Sequence, residues 1–346
     1  MNALKTRSNK KNFFGKTIPL YAILIGMVLS GFSVYQFFPR PAEIEAVYVQ
    51  KNDCPTGMEI QRTRDNKFSK PAILYDVKNE SEQLLPLKET INQYINKIKA
   101  ATNLSDVSVY YREMNNGAWF QINGDAPYIP ASLLKVTTLI TILKQAELTP
   151  SLLDKKIYFD KHAEYVYYQN IKNFQLKENH YYTLSELLNY MIEYSDNDAA
   201  NLVTQVMNRS VYNKVYSDLG ITSPASDPSR KKDFTMSVID CCKLFRVLYN
   251  SSYLNEEYSE YALSLLAKST YKEGLLKNFN PNTVVAHKFG ERSTETDQQL
   301  HEIGLFYNGE QPYILGVMTK GNDLKQLSTV LSDISGLVYS AKSKSI

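Results

Sequence analysis

From Thr17 to Phe38 the chain carries no charged residue. The run IPLYAILIGMVLSGFSVYQFF is long enough, at about 1.5 Å rise per residue, to cross a hydrocarbon core of about 30 Å as a helix. Lys5, Arg7, Lys10, Lys11 and Lys16 precede it and only Arg40 closely follows. The positive-inside rule therefore predicts a cytoplasmic basic tail at 1–16, a transmembrane signal anchor at 17–38, and everything after Arg40 outside the cell membrane as a single-pass protein. A cleaved signal peptide is the competing reading. It calls for a shorter apolar region ending in small residues, and FFPRPAEIEA is a poor cleavage site.

The anchor also explains the charge. The chain has 39 basic and 36 acidic residues, net +3, but the first 40 residues hold 6 of the basic ones and no acid. Residues 41–346 then carry 33 against 36, or −3, which gives no support to a nucleic-acid-binding face. With 43% hydrophobic residues, 14 Gly and 13 Pro, the exported part reads as a folded domain. Of the three cysteines, the adjacent pair Cys241 and Cys242 reads as small buried apolar residues, while Cys54 suits either a free thiol or a bridge. His162, His180, His287 and His301 stand apart from one another, no zinc spacing occurs, and neither a metal nor another cofactor is expected.

Residues 39–84 are polar and irregular and read as an extracytoplasmic stalk, with a short ordered piece at PAILYDV. The folded domain is expected over 85–346. Ile91, Tyr94, Ile95 and Ile98 mark an amphipathic helix at its start. VSVYYREM and AWFQI, joined through NNG, read as a hairpin. At the other end NTVVAHKF, EIGLFY and PYILGVMT read as strands, followed by a helix over 323–341. Between them, 132–275 reads as helical. The order predicts an α+β domain whose antiparallel sheet is built from both chain ends, flanked by N- and C-terminal helices, with an inserted all-helical subdomain.

Three short patterns carry candidate chemistry. Ser132 opens the apolar run SLLKVTTLITILKQAEL, and Lys135 follows one turn later on the same face. The N-terminal N–H groups and dipole of a helix stabilise an alkoxide or oxyanion, and a lysine in a dry electropositive site loses proton affinity and acts as a base. S-x-x-K also occurs at Ser8, Ser229 and Ser269, in polar settings, and Ser132 equally suits a plain helix cap. Ser195-Asp196-Asn197 falls in a tight turn between two helices, the first opened by a Thr183/Glu186 capping box; it also suits simple capping of the second. Lys288-Phe289-Gly290 places a lysine in an apolar strand, a costly position for an idle charge.

Taken together and in this order, S-x-x-K, S-D-N and K-x-G resemble the signature of class A β-lactamases and penicillin-binding proteins. The resemblance spans about residues 87–341. It implies that Ser132 is the acylated nucleophile, Lys135 its general base, and Ser195 the group passing a proton to the leaving nitrogen. It further implies that Asn197 binds the substrate amide, Asp196 holds the loop, and Lys288 supplies positive charge to a substrate carboxylate. The backbone N–H groups of Ser132 and of Glu291, next to Gly290, would form the oxyanion hole. The implied partner is a β-lactam or a peptidoglycan peptide.

Two departures bear on function. The E-x-x-L-N segment whose glutamate activates the deacylating water in class A enzymes is absent, and Asp227 and Asp233 in SDPSRKKDF lack the motif around them. Phe289 stands where the family usually has Ser or Thr, which removes a hydroxyl expected to grip the substrate carboxylate. The first expectation is a membrane-anchored serine hydrolase acting on β-lactams. The alternatives are a penicillin-binding-protein-like peptidase or amidase on wall peptides, and a non-catalytic wall-binding or scaffold protein.

Overall fold

A computed structural model describes residues 58–62, 72–160, 176–224, 233–295, 297–307 and 311–343. The expected tail and anchor, and Cys54, lie outside the described residues; among the described ones no helix is long and apolar enough to cross a membrane. Order begins earlier than the expected domain boundary. Strands β1 (Met58–Arg62) and β2 (Ala72–Val77) form an antiparallel hairpin within the stretch read as stalk. Ile73 and Leu74, 3% and 1% exposed, join the main hydrophobic cluster, and fully burying each such side chain contributes about 1.5–3 kcal/mol. Asp76 pairs with Arg246 at 2.7 Å and Arg112 at 3.0 Å. The short ordered piece expected at PAILYDV is β2; its partner β1 and the two arginines that clamp Asp76 were not expected.

Helix α1 (Leu85–Ala101) leads into the hairpin β3 (Asp106–Glu113) and β4 (Trp119–Ile122). A 3-10 turn, Ala131–Leu133, runs directly into α2 (Leu134–Ala146), which is buried on almost every side. The inserted part is not all-helical, contrary to expectation. β5 (Lys156–Phe159) and β6 (His180–Thr183) pair in it as a second hairpin, because KIYF and HYYT alternate inward Ile157, Phe159 and Tyr182 with exposed Tyr158 and Tyr181. Helices α3 (Leu184–Glu193), α4 (Asn197–Val206), α5 (Arg209–Asp218), α6 (Val238–Tyr249) and α7 (Glu256–Ala267) follow. The Thr183/Glu186 capping box forms as its spacing predicts.

Strands β7 (Val285–Ser293), β8 (Gln298–Phe306) and β9 (Tyr313–Gly321) and helix α8 (Leu324–Ser343) complete the chain. The five-stranded sheet is antiparallel with order β4-β3-β9-β8-β7, so both chain ends build it, as expected. Alternation along the strands splits the core in two. Val109, Tyr111, Leu315 and Val317 pack with Ile91, Ile95, Leu331 and Ile334 of α1 and α8. Tyr110, Ile314, Met318 and Ile303 pack with α2, α6 and the inserted helices. Cys241 and Cys242 lie in this second cluster as free thiols whose ionisation burial pushes far upward. β7 is one of the two outer strands of the sheet and lies against the 3-10 turn that carries Ser132.

Candidate active site

The loop between α3 and α4 is made possible by Ser195 adopting φ +55, a left-handed conformation that costs a non-glycine residue about 1–3 kcal/mol. The turn is held on both sides. Asp196 N–H donates to the Tyr190 carbonyl at 3.2 Å, and the Asp196 carboxylate, as cap of α4, accepts from Ala199 N–H at 2.7 Å. The turn aims Ser195 inward, 1% exposed, and sets Asn197 in the first turn of α4.

Lys135 reaches this loop from the first turn of α2. Its ammonium donates to the Ser195 carbonyl at 2.5 Å, Ser195 Oγ at 3.2 Å and Asn197 Oδ1 at 2.7 Å. Those three acceptors match the three hydrogens of a lysine ammonium. Desolvation nevertheless pushes the Lys135 pKa down to about 7, against the opposing pull of the Asp196 charge. Lys288, fully buried on β7, donates to Ser195 Oγ at 2.8 Å and to the Phe289 carbonyl at 3.0 Å. Burial holds its proton affinity well below the lysine range, and the Lys135 charge lowers it further while Glu302 raises it.

Ser132 occupies the 3-10 turn, partly exposed, behind Ala131 at φ +48. The short i to i+3 spacing brings it near the start of α2, but Lys135 hydrogen-bonds Ser195 and Asn197 rather than Ser132 Oγ. Gly290 explains how β7 comes so close to this turn. A Cβ there would run into the Pro130 carbonyl oxygen and stand 3.3 Å from the Leu133 nitrogen. Glu291 follows Gly290 on the same outer strand. Phe289 is buried and stacks on Tyr271, ring centroids 4.2 Å apart, with Lys288 Nζ 4.3 Å from its own centroid. The position without a hydroxyl is therefore filled by core packing.

The structure brings Lys135, Ser195, Asn197 and Lys288 into one hydrogen-bonded group, with Ser132 and Gly290 on the adjoining turn and strand. Among the described residues, no group of His, Cys, Asp and Glu is arranged to hold a metal ion. Two polar side chains at this turn were not singled out by sequence reasoning, Gln299 and His301, which bond the backbone of Ile129. Their signal is present but diluted: they stand at i and i+2 in a strand, QQLHEIGLF, that also holds Gln298 and Glu302.

Comparison with known proteins places the fold. Solved structures with the same fold include a PBP-A mutant described as an acyl-enzyme complex with penicillin G, at TM-score 0.60 and 22% identity, covering 75% of this chain and 97% of that one. A β-lactamase from Chitinophaga pinensis superposes at TM-score 0.61 with 20% identity over 73% of this chain and 99% of its own. The TLA-3 extended-spectrum β-lactamase does so at 0.62 with 19% identity over 74% and 98%. No curated protein sequence matches the chain. A profile of the Beta-lactamase enzyme family matches residues 86–341, most of the chain, and the protein belongs to that family of β-lactamase-like serine hydrolases.

Proposed function

We propose that the chain is a membrane-anchored acyl-transfer enzyme that forms an ester at Ser132 with β-lactams on the outer side of the cell membrane. The observation that carries the reading is the placement of Ser195 Oγ between two buried lysines of weakened basicity. In its neutral form Lys135 accepts the Ser132 Oγ proton as Oγ bonds to the lactam carbonyl carbon. Collapse of the tetrahedral intermediate breaks the C–N bond, and the proton returns through Ser195 Oγ to the leaving nitrogen. The N–H groups of Ser132 and Glu291 hold the oxyanion, Asn197 the amide side chain and Lys288 the anionic end of the substrate. The charge-free run 17–38 with its basic leader supports the anchor and the location.

A second reading, a peptidase or amidase acting on cell-wall peptides, is favoured by one observation. No E-x-x-L-N segment is present, and the hydrogen-bond acceptors around Lys135 are a carbonyl, a hydroxyl and an amide rather than a carboxylate. Fluorescent-penicillin labelling of the full-length protein with intact-mass analysis tests both. A covalent adduct absent from Ser132→Ala is expected. No adduct, where a known penicillin-binding protein labels, overturns acyl transfer to β-lactams. A lasting adduct without turnover favours the wall-peptide reading, and steady nitrocefin turnover favours a lactamase.

A further inference from the structure

The turn that carries Ser132 has little local support. Its cap position is Pro130, no side chain caps it, and Ala131 sits at φ +48. Such a conformation persists only where its surroundings over-determine it. The surroundings that do so come from β8. Gln299 Oε1 accepts the Ile129 N–H at 3.1 Å, and His301 Nε2 lies 3.1 Å from the Ile129 carbonyl oxygen. Two side chains at i and i+2, on one face of the strand, thus bond the two backbone groups of one residue, as a neighbouring strand would.

The histidine can take only one form in this role. Thr319 N–H donates to His301 Nδ1 at 3.2 Å, so Nδ1 is the acceptor and Nε2 carries the proton that Ile129 receives. Full burial favours this neutral ring, pushing its pKa down to about 4, and Tyr128 closes over it edge-on at 5.3 Å. Gln299 is oriented in turn by Asp297, which accepts from its Nε2 at 3.0 Å. Tyr128 is tied to Met236 through both backbone groups, and Gly290 closes on the Pro130 carbonyl.

We infer that His301 and Gln299 are positioning residues, which set the height and direction of the Ser132 turn through the backbone of Ile129. They touch no reacting atom. The inference rests on the acyl-transfer reading of Ser132. Misplacing a reacting group by about 1 Å costs about 100-fold in rate. His301→Leu in the full-length protein should therefore lower the first-order acylation rate by about 100-fold, with the half-saturating penicillin concentration little changed.

His301→Gln places an N–H the same number of bonds from Cβ and should recover the rate to within about tenfold of wild type. Folded His301→Leu or Gln299→Leu acylating at the wild-type rate overturns the inference. Gln299→Leu decides the matter if His301→Leu does not fold. Should the wild type form no adduct, acyl transfer to penicillin fails as a reading, and hydrogen exchange over residues 128–134 still tests the strut. Faster exchange in both leucine variants supports it, and unchanged exchange overturns it.

Discussion

Ser195 Oγ stands 3.2 Å from Lys135 Nζ and 2.8 Å from Lys288 Nζ, so one buried hydroxyl joins the amines of two elements far apart in sequence. Ser195 can accept from only as many protons as its lone pairs allow, and each ammonium left charged there raises the cost of charging the other. Stability and catalysis therefore pull in opposite directions at Lys288. Lys288→Met keeps the length and apolar stem while removing a buried amine that is costly to charge and whose bonds go to a hydroxyl and a carbonyl. The variant should melt several degrees higher and acylate about 100-fold more slowly. Calorimetry and stopped-flow labelling of one preparation check both signs.

The pH profile should follow Lys135. Its pKa, near 10.5 for a free lysine, is held at about 7 by burial, so below pH 7 the group is an ammonium unable to accept the Ser132 proton. The acylation rate should climb about tenfold per pH unit below 7 and level off above it. Stability has the same sign. Between pH 7 and 10.5 the unfolded chain holds a proton that the folded site has lost, so unfolding free energy rises with pH across that window. Lys135→Met should reduce this slope and leave the part that Lys288, also held below the lysine range, contributes, and an acylation rate flat between pH 5 and 8 would sink the assignment of Lys135 as base.

Much of this arrangement is written in local patterns. The capping box at Thr183 and Glu186 follows from spacing alone, and the two-ended sheet from the placement of its apolar runs. The three motifs show in the sequence because each needs a polar residue where an apolar or neutral one would fold more easily. The hidden parts depend on contacts between distant segments. Asp76 meets Arg112 and Arg246, which lie 36 and 170 residues away, and nothing around Asp76 announces either. His301 reads as an isolated histidine until β8 is laid beside Ile129. The hairpin of β5 and β6 is missed because two four-residue strands leave a pattern too short to outweigh the helices around them.

Gly290 is required by space rather than by backbone angle. A side chain there would meet the Pro130 carbonyl and the Leu133 backbone and side chain, none of which can move without displacing the Ser132 turn. Gly290→Ala should destabilise the fold by about 1–3 kcal/mol, in the range of overpacked sites, and lower the melting point by several degrees. Its acylation rate should fall by more than the unfolded fraction explains. A folded Gly290→Ala protein with wild-type labelling kinetics would mean that β7 does not set the position of the turn.

The N-terminal hairpin gives the last test. Arg246 is 3% exposed and depends on Asp76 and the Tyr75 carbonyl, at 2.7 and 3.2 Å, for its charge-assisted bonds. Removing the carboxylate strands a buried guanidinium, which costs about 3–5 kcal/mol in fully buried pairs and less here, because Asp76 is about a third exposed. Asp76→Ala should cost about 2 kcal/mol and loosen β1 and β2 together. Asp76→Ala with Arg246→Met should recover part of that loss, since the more deeply buried of the two guanidinium groups is gone and only Arg112 is left without its carboxylate. Equal destabilisation by the single and double variants in urea melts would show that the hairpin is held by Ile73 and Leu74 alone.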